Sequence, residues 1–221
     1  MTDDLLERLK LALLDLDMAS ATATARSATG VANGVITAHA VDAVSEALQT
    51  VGRRFQTGEW FLAELVYAAE IAREALSILS PHGDSQTTKS LGTIVVGTVA
   101  GDLHDLGKNI FISYARSVGF HIVDLGIDVP VDVFVDAVRK NRPMALGMSC
   151  IMTPMAGNLE RVVSELKQQG LREQVKIIIG GAALTARYAS EIGVDAFAPD
   201  AVTGTDIVKA WSAEWTSNNA S

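Results

Sequence analysis

Cysteine is almost missing from this chain: Cys150 is the single one among 221 residues, so an internal disulfide is excluded. Positive charge is scarce as well. Eighteen Lys and Arg stand against 26 Asp and Glu, a formal net charge of -8 with pI ≈ 5.0. No basic stripe is present to neutralise phosphates, which argues against a nucleic-acid partner. The excess negative charge serves solubility. No apolar run approaches the length that spans a bilayer, so no membrane association is expected. The N-terminal Met1-Thr2-Asp3-Asp4 is acidic and lacks the basic region and apolar stretch of a secretory leader, and the chain reads as cytoplasmic. What remains is 48% hydrophobic and 20% charged residues, a globular composition long enough for one or two domains.

Residues 1 to about 79 carry helical periodicity and almost no strand signal. Leu5, Leu6, Leu9, Leu13 and Leu16 form one apolar stripe. A second helix is expected over about 18–32, where many Ala and Thr leave a weak pattern and Asn33-Gly34 ends it. A third runs over about 38–55 with Val41, Val44, Leu48, Val51 and Phe55 on one face, and Thr57-Gly58 stops it. A fourth covers about 60–79, before Pro81. Four helices joined by short turns imply an antiparallel bundle. The polar, aperiodic stretch 81–90 reads as a linker. From Leu91 onward strands (near 92–99, 121–125, 144–149, 175–180 and 194–198) alternate with helices (near 107–119, 131–140, 155–169, 184–192 and 203–215). That alternation specifies a doubly wound, five-stranded parallel sheet of flavodoxin-like order. The expected fold class is thus α + α/β, with a four-helix bundle at 1–80 and the sheet domain at 91–217.

Three segments carry chemistry. Gly101-Asp102-Leu103-His104-Asp105-Leu106-Gly107 follows the first strand, at the sheet edge where open α/β sheets bind their ligands. Asp102 can accept a hydrogen bond from one ring nitrogen of His104, leaving the other for a metal. Taken locally, His104 is equally an ordinary loop histidine near a helix start. Ser149-Cys150-Ile151-Met152-Thr153 follows the third strand and Gly180-Gly181 the fourth, on the same edge. Glycines there let a ligand approach the backbone, a role open to Gly107, Gly147, Gly180 and Gly181, although any one of them is also an ordinary turn residue.

The combination Asp-x-His-x-x-Gly, Ser-x-(Leu/Ile) and Gly-Gly resembles the cobalamin-binding signature of methionine synthase, of the corrinoid proteins of methanol and methylamine methyltransferases, and of some mutases. Here 41 residues separate Gly107 from Ser149 and 28 separate Ile151 from Gly180. The resemblance implies a cobalamin whose own benzimidazole leaves cobalt, with His104 as axial metal ligand. Gly101, Asp102, Leu103, Asp105 and Gly107 complete the loop. It also implies that Ser149, Ile151, Thr153, Gly180, Gly181 and Ala201 line a pocket for the displaced nucleotide tail. The signature departs at Met155, where methionine synthase continues the His–Asp chain to a serine, and a methionine relays no proton. Gly58-Glu59-Trp60-Phe61-Leu62-Ala63-Glu64-Leu65 is similar to the Gly-x-x-Phe-Leu-Pro-x-Leu segment of the helical cap in these proteins, so Phe61 and Leu62 would cover the corrin. Ala63 replaces the usual proline.

A hydrolase triad from Asp102, His104 and Ser149 is disfavoured because Gly147-Met148-Ser149-Cys150-Ile151 lacks the second glycine of a nucleophile elbow. A nucleotide-binding module is disfavoured by the missing Gly-x-Gly-x-x-Gly and Walker loop, and a receiver domain by Ser149 where an aspartate belongs. Within the cobalamin class, a mutase small subunit and a sensory or regulatory module stand as alternatives. A methyl carrier fits best. It would alternate between cob(I)alamin and methylcobalamin, be non-catalytic alone, and serve a substrate-specific methyltransferase, an acceptor methyltransferase and a reductive activation protein. The methyl donor and acceptor are set by those partners, not by this chain.

Overall fold

The computed structural model describes residues 2–30, 34–79 and 90–219. The chain divides into two compact units, Met1–Ser90 with Arg116–Gly119, and Leu91–Ala115 with Phe120–Ser221. Residues 81–89 of the expected linker lie outside the described residues.

The first unit holds α1 (Thr2–Leu14), α2 (Met18–Gly30), α3 (Gly34–Gln56) and α4 (Leu62–Leu79). Its core is formed by Leu9, Leu13, Val44, Leu48, Val51, Leu65 and Ile71, with many alanines that let helices approach closely. Leu16 departs from the expected stripe: α1 ends at Leu14, and Leu16 takes a left-handed φ of 57° that turns the chain. The Ala/Thr-rich α2 is helical because its start and its hydroxyls are both satisfied. Asp17 accepts the Ser20 amide at 2.9 Å, and Thr22 and Ser27 donate back to the Met18 and Ala23 carbonyls. Ala21, Ala25 and Ala28 give it a buried face. α1 and α4 each pack against both α2 and α3, so α2 and α3, consecutive in sequence, stand diagonally.

In the second unit β1 (Thr93–Thr98), β2 (His121–Asp124), β3 (Ala145–Ser149), β4 (Lys176–Gly180) and β5 (Ala196–Ala198) form one parallel sheet in the order β2-β1-β3-β4-β5. The helices α5 (Leu106–Ser117), α6 (Val131–Asn141), α7 (Gly157–Gln168), α8 (Ala186–Ile192) and α9 (Ala201–Asn219) connect and cover it. Val95, Leu146, Met148, Ile177 and Ile179 share one face and pack on Phe134, Val138, Leu159 and Val163 from α6 and α7. Side-chain capping moves two boundaries from their expected places. Thr185 accepts the Tyr188 amide and starts α8 at Ala186, and Asp200 accepts both the amide and the hydroxyl of Thr203 at 2.8 Å and starts α9 at Ala201. A short 3-10 turn, Thr153–Met155, precedes α7.

Two rows of side chains cross the opposite face. Register pairs Asp124, Val96, Gly147, Ile178 and Ala196 across β2-β1-β3-β4-β5. One step of the pleat further, Thr98, Ser149, Gly180 and Ala198 form the second row. Glycine or alanine at several of these points gives this face low relief at the carboxyl ends of the strands.

Candidate functional site

The loop after β1 is fixed by polar contacts on every side. Asp102 is fully buried, and its Oδ1 accepts both the His104 amide at 3.0 Å and His104 Nδ1–H at 2.6 Å. Its Oδ2 accepts the amides of Ile151 at 2.6 Å and Met152 at 3.3 Å, on the loop after β3. Burial pushes this carboxyl up, but the three amides and the ring N–H outweigh burial and hold it at about 2. Asp102 is therefore anionic at neutral pH, which fixes the proton of His104 on Nδ1 and leaves Nε2 as the free nitrogen. The His104 side chain is 54% exposed. Among the described residues no three His, Cys, Asp or Glu converge to hold a metal ion. A single imidazole therefore suits a metal that brings its other ligands with it.

Further contacts hold the same loop. Thr98 Oγ1 donates to the His104 carbonyl, Gly101 N–H donates to Asp128 Oδ1 at 2.6 Å, and Asn158 Nδ2 donates to the Ala100 carbonyl at 2.7 Å. Asp105 accepts the Asn109 side-chain amide at 2.9 Å and leads into α5. Leu103, Ile151 and Met152 expose apolar side chains on the loops after β1 and β3, as does Leu106 at the start of α5.

Beside the loop lies a groove of ≈ 470 Å³. Its floor is the low-relief face of the sheet: Val96, Gly147 and Ile178 from one row, then Ser149, Gly180 and Ala198 from the next. α5 contributes Gly107, Lys108 and Phe111 to the lining, and α9 contributes Ala201 at its start. A Cβ at Gly107 would meet no atom within 4 Å. At Gly147 it would touch Val96 and Ile178 at an ordinary 3.6–3.8 Å. A mostly apolar slot with empty glycine positions is what a buried nucleotide tail requires.

The structure thus brings together Gly107, Ser149, Ile151, Gly180, Gly181 and Ala201 around one groove, and Gly101, Asp102, Leu103, His104 and Asp105 on the adjoining loop. Thr153 stands on the exposed 3-10 turn, outside the groove lining. Gly181 has a role that sequence did not give it: at φ +136° its Cβ would lie 2.0 Å from the Cys150 carbonyl oxygen, so β3 and β4 themselves require a glycine there. Met155 packs against the core of the sheet unit, its sulfur close over Gly101. Phe61 and Leu62 are exposed on the helical unit, 73% and 39%, where the Phe61 amide donates to Glu64 Oε2 at 3.0 Å and starts α4.

Three participants escaped the sequence reading. Lys108 is buried, lines the groove, and gives its ammonium to Asp124 Oδ1 at 2.8 Å and Asn109 Oδ1 at 2.9 Å. Asp128 and Asn158 secure the loop from distant positions. For Lys108 a signal existed, since it directly follows Gly107. For the other two there was none.

Comparison with known proteins agrees with this geometry. A family model described as B12 binding domain matches residues 92–207, and a second of the same description matches residues 5–80. Trimethylamine corrinoid protein 1 of Methanosarcina acetivorans is 34% identical over 209 residues, covering 93% of this chain and 94% of the relative. Trimethylamine corrinoid protein of Methanosarcina barkeri is 38% identical over 165 residues, covering 74% and 76%. Among solved structures, a cobalamin-binding protein from Desulfitobacterium hafniense superposes with TM-score 0.81 at 35% identity, covering 93% of this chain and 98% of that one. A chain of the methanol:cobalamin methyltransferase complex of Methanosarcina barkeri superposes with TM-score 0.83 at 25% identity, covering 96% and 80%. With its histidine loop, its groove and both matched segments, the chain belongs to the B12 binding domain family.

Proposed function

We propose that this protein is a corrinoid methyl carrier: it binds cobalamin base-off with His104 on cobalt, receives a methyl group at a substrate-specific methyltransferase and delivers it at an acceptor methyltransferase. The observation that carries this is the exposed His104 held at 2.6 Å by the buried Asp102, next to an apolar groove on the same sheet edge. The relatives named for trimethylamine and the methanol:cobalamin methyltransferase complex support a methyltransferase as the partner. A reductive activation protein completes the set of partners in this reading. No helix among the described residues is long and apolar enough to cross a membrane.

Bound cobalt supplies the chemistry of accepting and releasing a methyl group. This chain's residues do the positioning. Asp102 accepts Nδ1–H and leaves Nε2 as the nitrogen that would hold cobalt, and the Ile151 and Met152 amides keep its carboxylate ionised and in place. The exposed Leu103, Leu106, Ile151 and Met152 offer apolar surface to a flat macrocycle. Gly107, Gly147, Ser149, Gly180 and Ala201 would hold the displaced tail. In this reading Phe61 and Leu62 would cover the bound cofactor; their exposure, large for apolar side chains, supports it. The 81–90 segment is the division between a cap at 1–80 and a cofactor domain at 91–217, supported by the separate matches to the two segments.

The test is spectroscopic. Full-length protein loaded with cobalamin and reduced by one electron should show nitrogen splitting from an imidazole in its electron paramagnetic resonance spectrum. Growth with 15N-histidine should change that splitting from three lines to two. An unchanged pattern would mean that cobalt keeps its own base, and the reading fails.

A further inference from the structure

Gly147 is a strand residue that neither the backbone nor its neighbours oblige to be glycine. It does not have positive φ, and a Cβ there would meet Val96 and Ile178 at ordinary contact distance. Strand interiors disfavour glycine, which weakens them. Gly181 shows the contrast, since its φ and the Cys150 carbonyl leave no alternative. What Gly147 leaves open is space in the groove, at the centre of the row Val96–Gly147–Ile178. The empty position is explained by something that lies flat on it.

The polarity of the same space is equally defined. Three side chains bring polar groups to the groove lining, and two of them are already engaged within the protein. Lys108 Nζ is held by Asp124 and Asn109, and both carboxylate oxygens of Asp200 accept from Thr203. The third, the Ser149 hydroxyl, sits in the upper row at the carboxyl end of β3, one pleat above Gly147. At the Gly147 level the floor presents Val96 and Ile178, with the Lys108 ammonium held by Asp124 at the end of the same row.

Resting on the reading of the groove as the tail site, we propose that Gly147, with Val96 and Ile178, selects the lower base of the cofactor. It admits a flat bicyclic base with an apolar edge and discriminates against a purine. Dimethylbenzimidazole presents a carbocyclic edge bearing two methyl groups. Adenine in the same place carries two more ring nitrogens and an amino group, which would be taken from water without partners.

Corrinoid-free full-length protein is titrated with three ligands: cobalamin, the cobamide whose lower base is adenine, and cobinamide, which has no tail. Wild type should bind cobalamin at least about tenfold more tightly than the adenine form, the size of one unpartnered buried polar atom. Gly147→Ala should weaken cobalamin by about tenfold or more while leaving cobinamide unchanged. Cobinamide is thus the control for folding and for His104. Equal affinities of wild type for the two base-bearing cobamides would overturn the proposal, as would cobalamin binding by Gly147→Ala at wild-type strength. If wild type binds none of the three, the corrinoid reading itself is wrong and the selectivity goes with it.

Discussion

The loop that carries His104 is fixed by hydrogen bonds to a buried carboxylate, whereas the groove beside it is formed by leaving side chains out. Both occupy the same edge of the same sheet. On the loop, Asp102 gathers the His104, Ile151 and Met152 amides and the imidazole, so its failure follows when a partner is removed. In the groove, Gly107 and Gly147 make room, so failure follows when an atom is added, whereas a Cβ at Gly180 would already press on the Ala198 carbonyl oxygen at 3.3 Å. Gly181 stands between the two cases: it adjoins the groove, but the space a Cβ would take is already filled by backbone. The difference teaches that glycines lining one groove answer to different constraints: Gly181 to the fold, Gly147 to none that the surrounding protein imposes.

Gly181→Ala should have the largest effect on stability. Its φ of +136° is strained for any side chain, and the Cβ would overlap the Cys150 carbonyl, so the ends of β3 and β4 must separate. We expect a loss of about 4 kcal/mol or more, read by chemical denaturation of the corrinoid-free protein. A near-neutral outcome would return Gly181 to the ligand-contact role that its position after β4 implies.

Asp102→Ala comes next. It removes a fully buried acceptor from the part-buried amides of His104, Ile151 and Met152, at a cost of about 3 kcal/mol. The wild-type carboxyl also ties stability to acid. Its folded value of about 2 lies below the ordinary 3.8, so its stabilisation is complete above the ordinary value and is lost as pH falls through the folded one. Between about pH 4 and pH 2 wild type should lose about 2 kcal/mol that Asp102→Asn, having nothing to titrate there, does not lose. Parallel denaturation curves for the two proteins over that window would show that the carboxylate is not held as described.

The strand–helix alternation and the Asp102–His104 pair were legible because each rests on local pattern: short apolar runs between stretches of period 3.6, and a two-residue reach from carboxylate to ring; the strand order followed from the fold class that this alternation implies. Leu16 and the start of α9 were misplaced because a left-handed turn and the Asp200 cap act over single residues within otherwise periodic stretches. Register was beyond reach. Only the pairing of Val96, Gly147 and Ile178 shows that a glycine at the centre of β3 faces the groove rather than the core. Asp128 and Asn158 reach the loop from 27 and 58 residues away, distances at which a single sequence carries no pairing signal.

The smallest expected change in stability comes from His104, the residue proposed to hold cobalt. His104→Ala removes a ring that is 54% exposed, and Asp102 Oδ1 keeps the amide of residue 104 as a donor, so no buried group is orphaned. Denaturation should therefore shift by less than about 1 kcal/mol. The imidazole splitting in the loaded, reduced protein should nevertheless vanish, and added free imidazole should restore part of it by occupying the vacated position. The clamp and the ligand are separable on this account: Asp102→Ala damages both fold and ligation, and His104→Ala damages ligation alone. If His104→Ala proved as destabilising as Asp102→Ala, the ring would be part of the structural clamp, and the division between what holds the loop and what the loop presents would collapse.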